Sequence, residues 1–298
     1  MKRIFFLIVL LSCVSAAFAQ EGGNRIYGNH GYYNQQRRQP LTNNGILYGN
    51  GYGYAIEASV VTNLRPDAFV AVFGVNDEAS AAAASNTKVN AKLDELVKAV
   101  TELGIAKDDI FVDFITQNRV YDFTVEGNQA TEHLSGFETK KTIAIRYRNR
   151  ELFERILRAA TRAEIFDLIK VDYVVSDFDN VRKQLFAAAA KVIRDKEKSY
   201  ASALGVEMLP VGLAHERYDA FYPSDTYERY QAYETGEASI SSNTTSSRLI
   251  RRKSSTFFYQ PFDGSRFDAV INPLGIEPVV QFSLYLRMQY DARRAKDN

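Results

Sequence analysis

Close to the end of the chain, Val280, Phe282, Leu284, Leu286, Met288 and Tyr290 alternate with Gln281, Ser283, Tyr285, Arg287 and Gln289. A period of two held this long predicts a strand with one buried face. Shorter stretches of the same kind occur earlier. AIEASVVTNL (55–64) predicts a first strand, and AFVAVFGVN (68–76), apolar at nearly every position, predicts a central strand covered on both sides. DDIFVDFITQNRVYDF (108–123), FETKKTIAIRYR (137–148), IFDLIKVDYVVSDF (165–178) and VEMLPVGLAHERY (206–218) read as further extended segments, with TVEGNQATEHLS (124–135) as a turn region.

Between these strands the period lengthens. Val89, Leu93, Leu96, Val97, Val100 and Leu103 form a helical stripe over residues 77–103, preceded by the small Ala81–Ala84 run and closed by Gly104. NRELFERILRAATRA (149–163) predicts a short helix. Residues 180–204 predict a third, with Ser176, Asp177 and Asp179 as capping candidates and Gly205 as its end. Both long helices leave through the same step, Leu103-Gly104-Ile105 and Leu204-Gly205-Val206. A helix of about 25 residues and a strand of about 11 are both about 36 Å long, so such helices can lie along a sheet. The predicted fold is α+β: two strand–long helix–strand units plus a short helix, helices packed on antiparallel-rich sheet. The late strand returns to that sheet, because its apolar side chains, worth about 1.5–3 kcal/mol each when buried, need a core to enter.

The pattern also sets provisional boundaries. Residues 1–19 read as a signal peptide: Lys2 and Arg3, an apolar run too short for the roughly 20 residues of a membrane helix, then Ala17-Phe18-Ala19 as a cleavage site. Leu10-Leu11-Ser12-Cys13 is an alternative site that would leave a lipid on Cys13. Residues 20–53, rich in Gly, Asn and Tyr, carry no period and read as a flexible tether. Residues 54–291 form one domain, interrupted at 218–270 by an insertion without core period, and 292–298 is a tail. The insertion holds an aromatic group (Tyr218, Phe221, Tyr222, Tyr227, Tyr230, Tyr233) and a basic one (Arg248, Arg251, Arg252, Lys253).

Composition narrows the function. Cleavage after Ala19 removes Cys13, the single cysteine, leaving neither a disulfide nor a thiolate. It also removes two of 37 basic residues, leaving 35 against 36 acidic, a net charge of −1. Such neutrality argues against nucleic acid as a partner. Export points to the periplasm, with outer-membrane association as a further reading and membrane contact without integral insertion.

No reaction is announced. His30, His133 and His215 never pair at ligand spacing on one helix, so a zinc site is not predicted. His215 beside Glu216 suits a general base with its orienting group, and equally an ordinary strand end. Gly49, Gly51 and Gly53 open no phosphate-binding helix. Asp108-Asp109 and Asp177–Asp179 lack the alternating oxygen ligands of a calcium loop, and Asp195-Lys196-Glu197-Lys198 reads as a solvated helix face. Accordingly no catalytic, metal or cofactor-binding residue is assigned and no cofactor is expected.

Several segments in order resemble the SIMPL-domain family, mostly bacterial envelope proteins with an animal kinase-associated relative. They are VNAKLDELVKAVTELGIAKDDIFV, then Gly136-Phe137-Glu138 with KTIAIRYRN, then IKVDYVVSD into an Ala-rich helix ending Ala203-Leu204-Gly205-Val206. Val211 to Glu216 and the closing INPLGIEPVVQFSLYLRMQYD complete the set. The likeness covers residues 55–216 and 271–291. It implies an α+β fold, and it implies links to envelope or oxidative-stress maintenance and ring-like oligomers in some members; it brings no catalytic set. The expected function is therefore non-enzymatic: an exported envelope protein acting by binding and self-assembly, with the Tyr-rich insertion open to envelope partners. An envelope hydrolase using His215 and carboxylates, or a membrane-surface lipoprotein anchored at Cys13, are the alternatives.

Overall fold

In a computed structural model, residues 39–42, 48–49, 53–231, 255–273 and 275–294 are described. The chain order is β1 (Tyr48–Gly49), β2 (Tyr54–Leu64), β3 (Ala68–Ala79), α1 (Ala82–Glu102), β4 (Ile110–Glu126), β5 (Gln129–Tyr147) and α2 (Leu152–Arg162). It continues with β6 (Asp167–Val174), α3 (Phe178–Leu204), β7 (Val206–Phe221), the one-turn α4 (Pro223–Thr226), β8 (Tyr227–Gln231), β9 (Ser255–Tyr259), β10 (Ala269–Val270) and β11 (Val280–Arg294).

Two sheets organise the molecule. One runs β4-β5-β3-β6, all antiparallel. The other runs β1-β2-β11-β7, also antiparallel, with β10 added parallel to β2. The fold is thus α+β, as the periodicity predicts. β11 pairs with β2 from Val280↔Leu64 to Tyr290↔Tyr54 and with β7 on its other side. The last strand therefore sits between elements made early and late, and runs through Arg294, past the Asp291 boundary read from sequence.

Each sheet carries its own long helix. On α1, Val89, Leu93, Leu96 and Val100 are buried against Phe69, Ala71, Phe73, Ile143 and Ile145 of β3 and β5, with α2 completing that core through Ile156 and Ala160. On α3, Val181, Leu185, Ala189 and Ile193 are buried against Ile56, Val60, Leu284 and Leu286. Asp177 caps α3 by accepting from the Asn180 N–H at 3.1 Å. Gly205 closes it in the left-handed conformation (φ 61°), where a Cβ would be strained. α1 begins at Ala82 rather than at Asp77, because residues 77–79 continue β3 opposite Phe137–Thr139. Pairing to β5 outcompetes the helix there.

The insertion read from sequence is largely built into the fold where it is described. Tyr218–Phe221 finish β7, and Phe221, Phe262 and Phe267 pack with Val61 in a third cluster on the face of the sheet opposite α3. Under this cover lies a satisfied polar network. The Gln281 amide donates to Asn63 Oδ1 (2.8 Å) and the Phe262 carbonyl (3.1 Å), and accepts from the Phe262 N–H (2.8 Å). A period-based reading cannot see this cover, because its apolar residues keep no regular spacing and its fit depends on polar side chains that stay paired when buried.

Candidate functional site

β4 and β5 outlast the sheet that holds them. β3 ends at Ala79, opposite Phe137, and beyond that point the two strands continue alone to the turn at Gly127-Asn128. Gly127 has φ 61° at the first turn position, the conformation a tight type II′ hairpin turn requires. The reading of residues 124–135 as a turn region was too broad: it is the distal half of a hairpin arm, with His133 on a strand.

The pairing assigns the arm's faces. Gln117 lies opposite Thr139 on the side of α1, since its amide reaches the Ala82 carbonyl at 3.1 Å. Alternation from Gln117 puts Arg119, Tyr121, Phe123 and Val125 on that same side, with cross-strand partners Phe137, Leu134, Glu132 and Ala130. Tyr121, Phe123, Val125 and Leu134 are 47%, 61%, 69% and 48% exposed. The opposite side carries Asp122, Thr124, Glu126, Thr131 and His133, with Thr124 Oγ1 3.4 Å from His133 Nδ1. The arm is amphipathic, and its apolar side projects past the start of α1 with no layer over it among the described residues. Nearer the sheet, Phe111, Phe114 and Ile115 are also exposed along the same edge strand.

The root of this arm is fixed. Ser85 and Thr139 hydroxyls meet at 2.6 Å in a fully buried contact, and Lys141 Nζ donates to Asn90 Oδ1 at 2.6 Å. On the other side, Glu138 accepts from Asn76 and pairs with Lys140, whose ammonium is the largest cause holding the Glu138 carboxyl below its usual range. Gly136 is required at the exit: a Cβ there would meet the Ala79 carbonyl oxygen at 2.7 Å. Register shifts at Phe114/Thr116 and Val120/Tyr121 bulge the hairpin on both sides of the point where it leaves. Behind the root, Lys92 bridges Asp77 (2.8 Å) and Glu164 (3.6 Å), and its hydrogen bond is the main cause of the lowered Asp77 pKa.

The residues singled out for chemistry are scattered. His215 is exposed on β7, edge-on to Tyr285 at 5.8 Å and opposite Arg287; among the described residues its ring has no hydrogen-bond partner. Asp109 pairs with Arg146, Asp177 is a helix cap, and Lys196 binds Asp268 at 2.6 Å and the Glu57 carbonyl at 2.9 Å. Lys196 is thus a structural tie, not a free member of a solvated face. Among the described residues no three His, Cys, Asp or Glu side chains gather as a metal site, and no helix is long and apolar enough to cross a membrane. Of the aromatic group, Phe221 is buried, Tyr218 lies under Arg182 at 5.6 Å, and Tyr227 meets Tyr259 edge-on at 6.1 Å. Cys13, His30, Tyr233 and the Arg248–Lys253 group lie outside the described residues.

Residues 55–248 match a family model described as "SIMPL: Protein of unknown function". A search of the curated proteins finds no match.

Proposed function

The chain belongs to the SIMPL family, and from that premise we propose that it is an exported, non-enzymatic envelope protein that works by binding and self-assembly through the β4–β5 arm. One observation carries the reading: an anchored root presents an apolar strand face that the described residues leave exposed. Two-stranded ribbons of this kind are marginal in water, and a long apolar edge invites pairing unless it has a use. The scattering of His215 and the carboxylates supports a role without catalysis. The signal-like N-terminus supports export to the periplasm, and the likeness to envelope proteins supports a role in envelope or oxidative-stress maintenance.

Light scattering on the purified protein at tens of micromolar tests the assembly. A mass above the monomer that falls to the monomer with Tyr121→Ser and Phe123→Ser together is the expected result; a monomer throughout sinks the proposal. The mass of the mature N-terminus in fractionated cells tests the export and separates cleavage after Ala19 from lipidation at Cys13.

A further inference from the structure

The apolar side of the arm carries two charges, and their placement says what it fits. Counting rungs outward along that side gives Arg119 with Phe137, Tyr121 with Leu134, Phe123 with Glu132, and Val125 with Ala130. Arg119 lies one rung before the Tyr121–Leu134 pair and Glu132 one rung after it. Both are exposed, and neither has an ion-pair partner among the described residues. Opposite charges placed evenly about an apolar centre make a surface that complements itself.

We propose that the occupant of this face is the same face of a second copy of the chain, packed antiparallel about a two-fold axis through the Tyr121–Leu134 rung. The axis lies between the two arms and runs across their strands. It sets each Arg119 diagonally over Glu132 of the other copy, one strand across, a step of about 4.8 Å. Facing sheets stand about 10 Å apart, a gap the long Arg side chain spans. The same operation covers Tyr121, Phe123 and Leu134 of each copy. A contact of this form is isologous, so both ion pairs form together.

Edge-to-edge pairing of two β4 strands about the same rung fits less well. It opposes Arg119 to Phe123, leaves Glu132 a strand away, and keeps the whole apolar side in water. The same operation carries the second arm's Val125–Ala130 rung toward Gln117 and Thr139, where α1 begins, so the two arms stay face to face only as far as the Arg119–Phe137 rung and their tips diverge beyond it.

The inference rests on the self-assembly reading above and is separated from it by charge reversal. Arg119→Glu and Glu132→Arg are made singly and together in the full chain, with sedimentation velocity as the readout. Each single reversal is expected to weaken self-association at least about tenfold, and the double reversal to restore it to within about threefold of the wild type. Thermal unfolding at a concentration where all forms are monomeric is expected to be unchanged, since both side chains are exposed. Self-association that is indifferent to the single reversals, or a double variant as weak as the singles, overturns the arm-to-arm pairing while leaving assembly standing. A wild-type monomer overturns both.

Discussion

β4 and β11 are both long strands with repeated apolar positions, yet they end in opposite environments. β11 lies between β2 and β7, and Val280, Leu284 and Leu286 are buried under α3. β4 is the outer strand of its sheet, paired on one side alone, and Phe111, Phe123 and Val125 are more than half exposed. Both alternate, although Gln117 and Arg119 interrupt the apolar side of β4 where that of β11 runs unbroken from Val280 to Tyr290. What differs is the layer above: α3 runs the length of β11's apolar side, whereas α1 begins at Ala82 and lies over only the root of the β4–β5 hairpin. Burial follows from what is stacked on a strand, and the same alternation makes a core in one place and an exposed apolar face in another.

The largest expected effect comes from breaking the buried side of this comparison. Leu284→Asp sets an unpaired carboxylate in the second core and is expected to abolish cooperative unfolding at room temperature, while Leu284→Ala costs about 3 kcal/mol in a denaturant titration. An unchanged midpoint for either would mean that β11 is not a central strand.

Next in size is the junction. Gly136→Val forces a side chain against the Ala79 carbonyl and is expected to cost about 1–3 kcal/mol and to tilt or fray the arm, read as faster hydrogen exchange in residues 119–134. If stability and exchange both stay at wild-type values, the tight exit at Gly136 is wrong.

A smaller effect is expected from the ion pair behind the arm's root. Lys92 lowers the Asp77 pKa, so the pair's contribution is present above the unfolded carboxylate value and is lost as pH falls through the depressed folded one. Asp77 in turn raises the Lys92 pKa, so the Lys92 share is present below the unfolded lysine value and is lost as pH climbs through the raised one. Asp77→Asn is expected to flatten both limbs of the stability–pH curve. Identical curves for variant and wild type would assign the pair no energetic part.

The smallest effect on the monomer belongs to the exposed strand. Phe123→Ser is expected to change unfolding free energy by no more than about 0.5 kcal/mol while lowering self-association. A large loss of monomer stability would show that Phe123 is covered within its own chain, and would erase the contrast with β11.

Much of this was legible from residue pattern. The alternation at Val280–Tyr290 and the stripe on α1 announce their elements, because one-sided burial imposes the period of the element on its sequence, and α3 is marked by its acidic cap and its Gly205 stop. The arm was half legible: Tyr121, Phe123 and Val125 continue the β4 alternation, but the polar residues of 124–135 mask the return strand. The cover formed by Phe262 and Phe267 was not legible, since these two, following Phe257-Phe258-Tyr259, keep neither a helical nor a strand period.

By itself, then, the sequence determined most of the long helices and strands, and that the last strand returns to a sheet made earlier in the chain. Local backbone preference and the spacing of apolar side chains set those features, and both are written residue by residue. Only the tertiary structure decided that β3 stops at Ala79, that α1 starts at Ala82, and that the described residues leave the apolar side of the hairpin beyond them exposed. Whether a side chain is buried depends on the relative lengths of neighbouring elements, and those are properties of the packed layers.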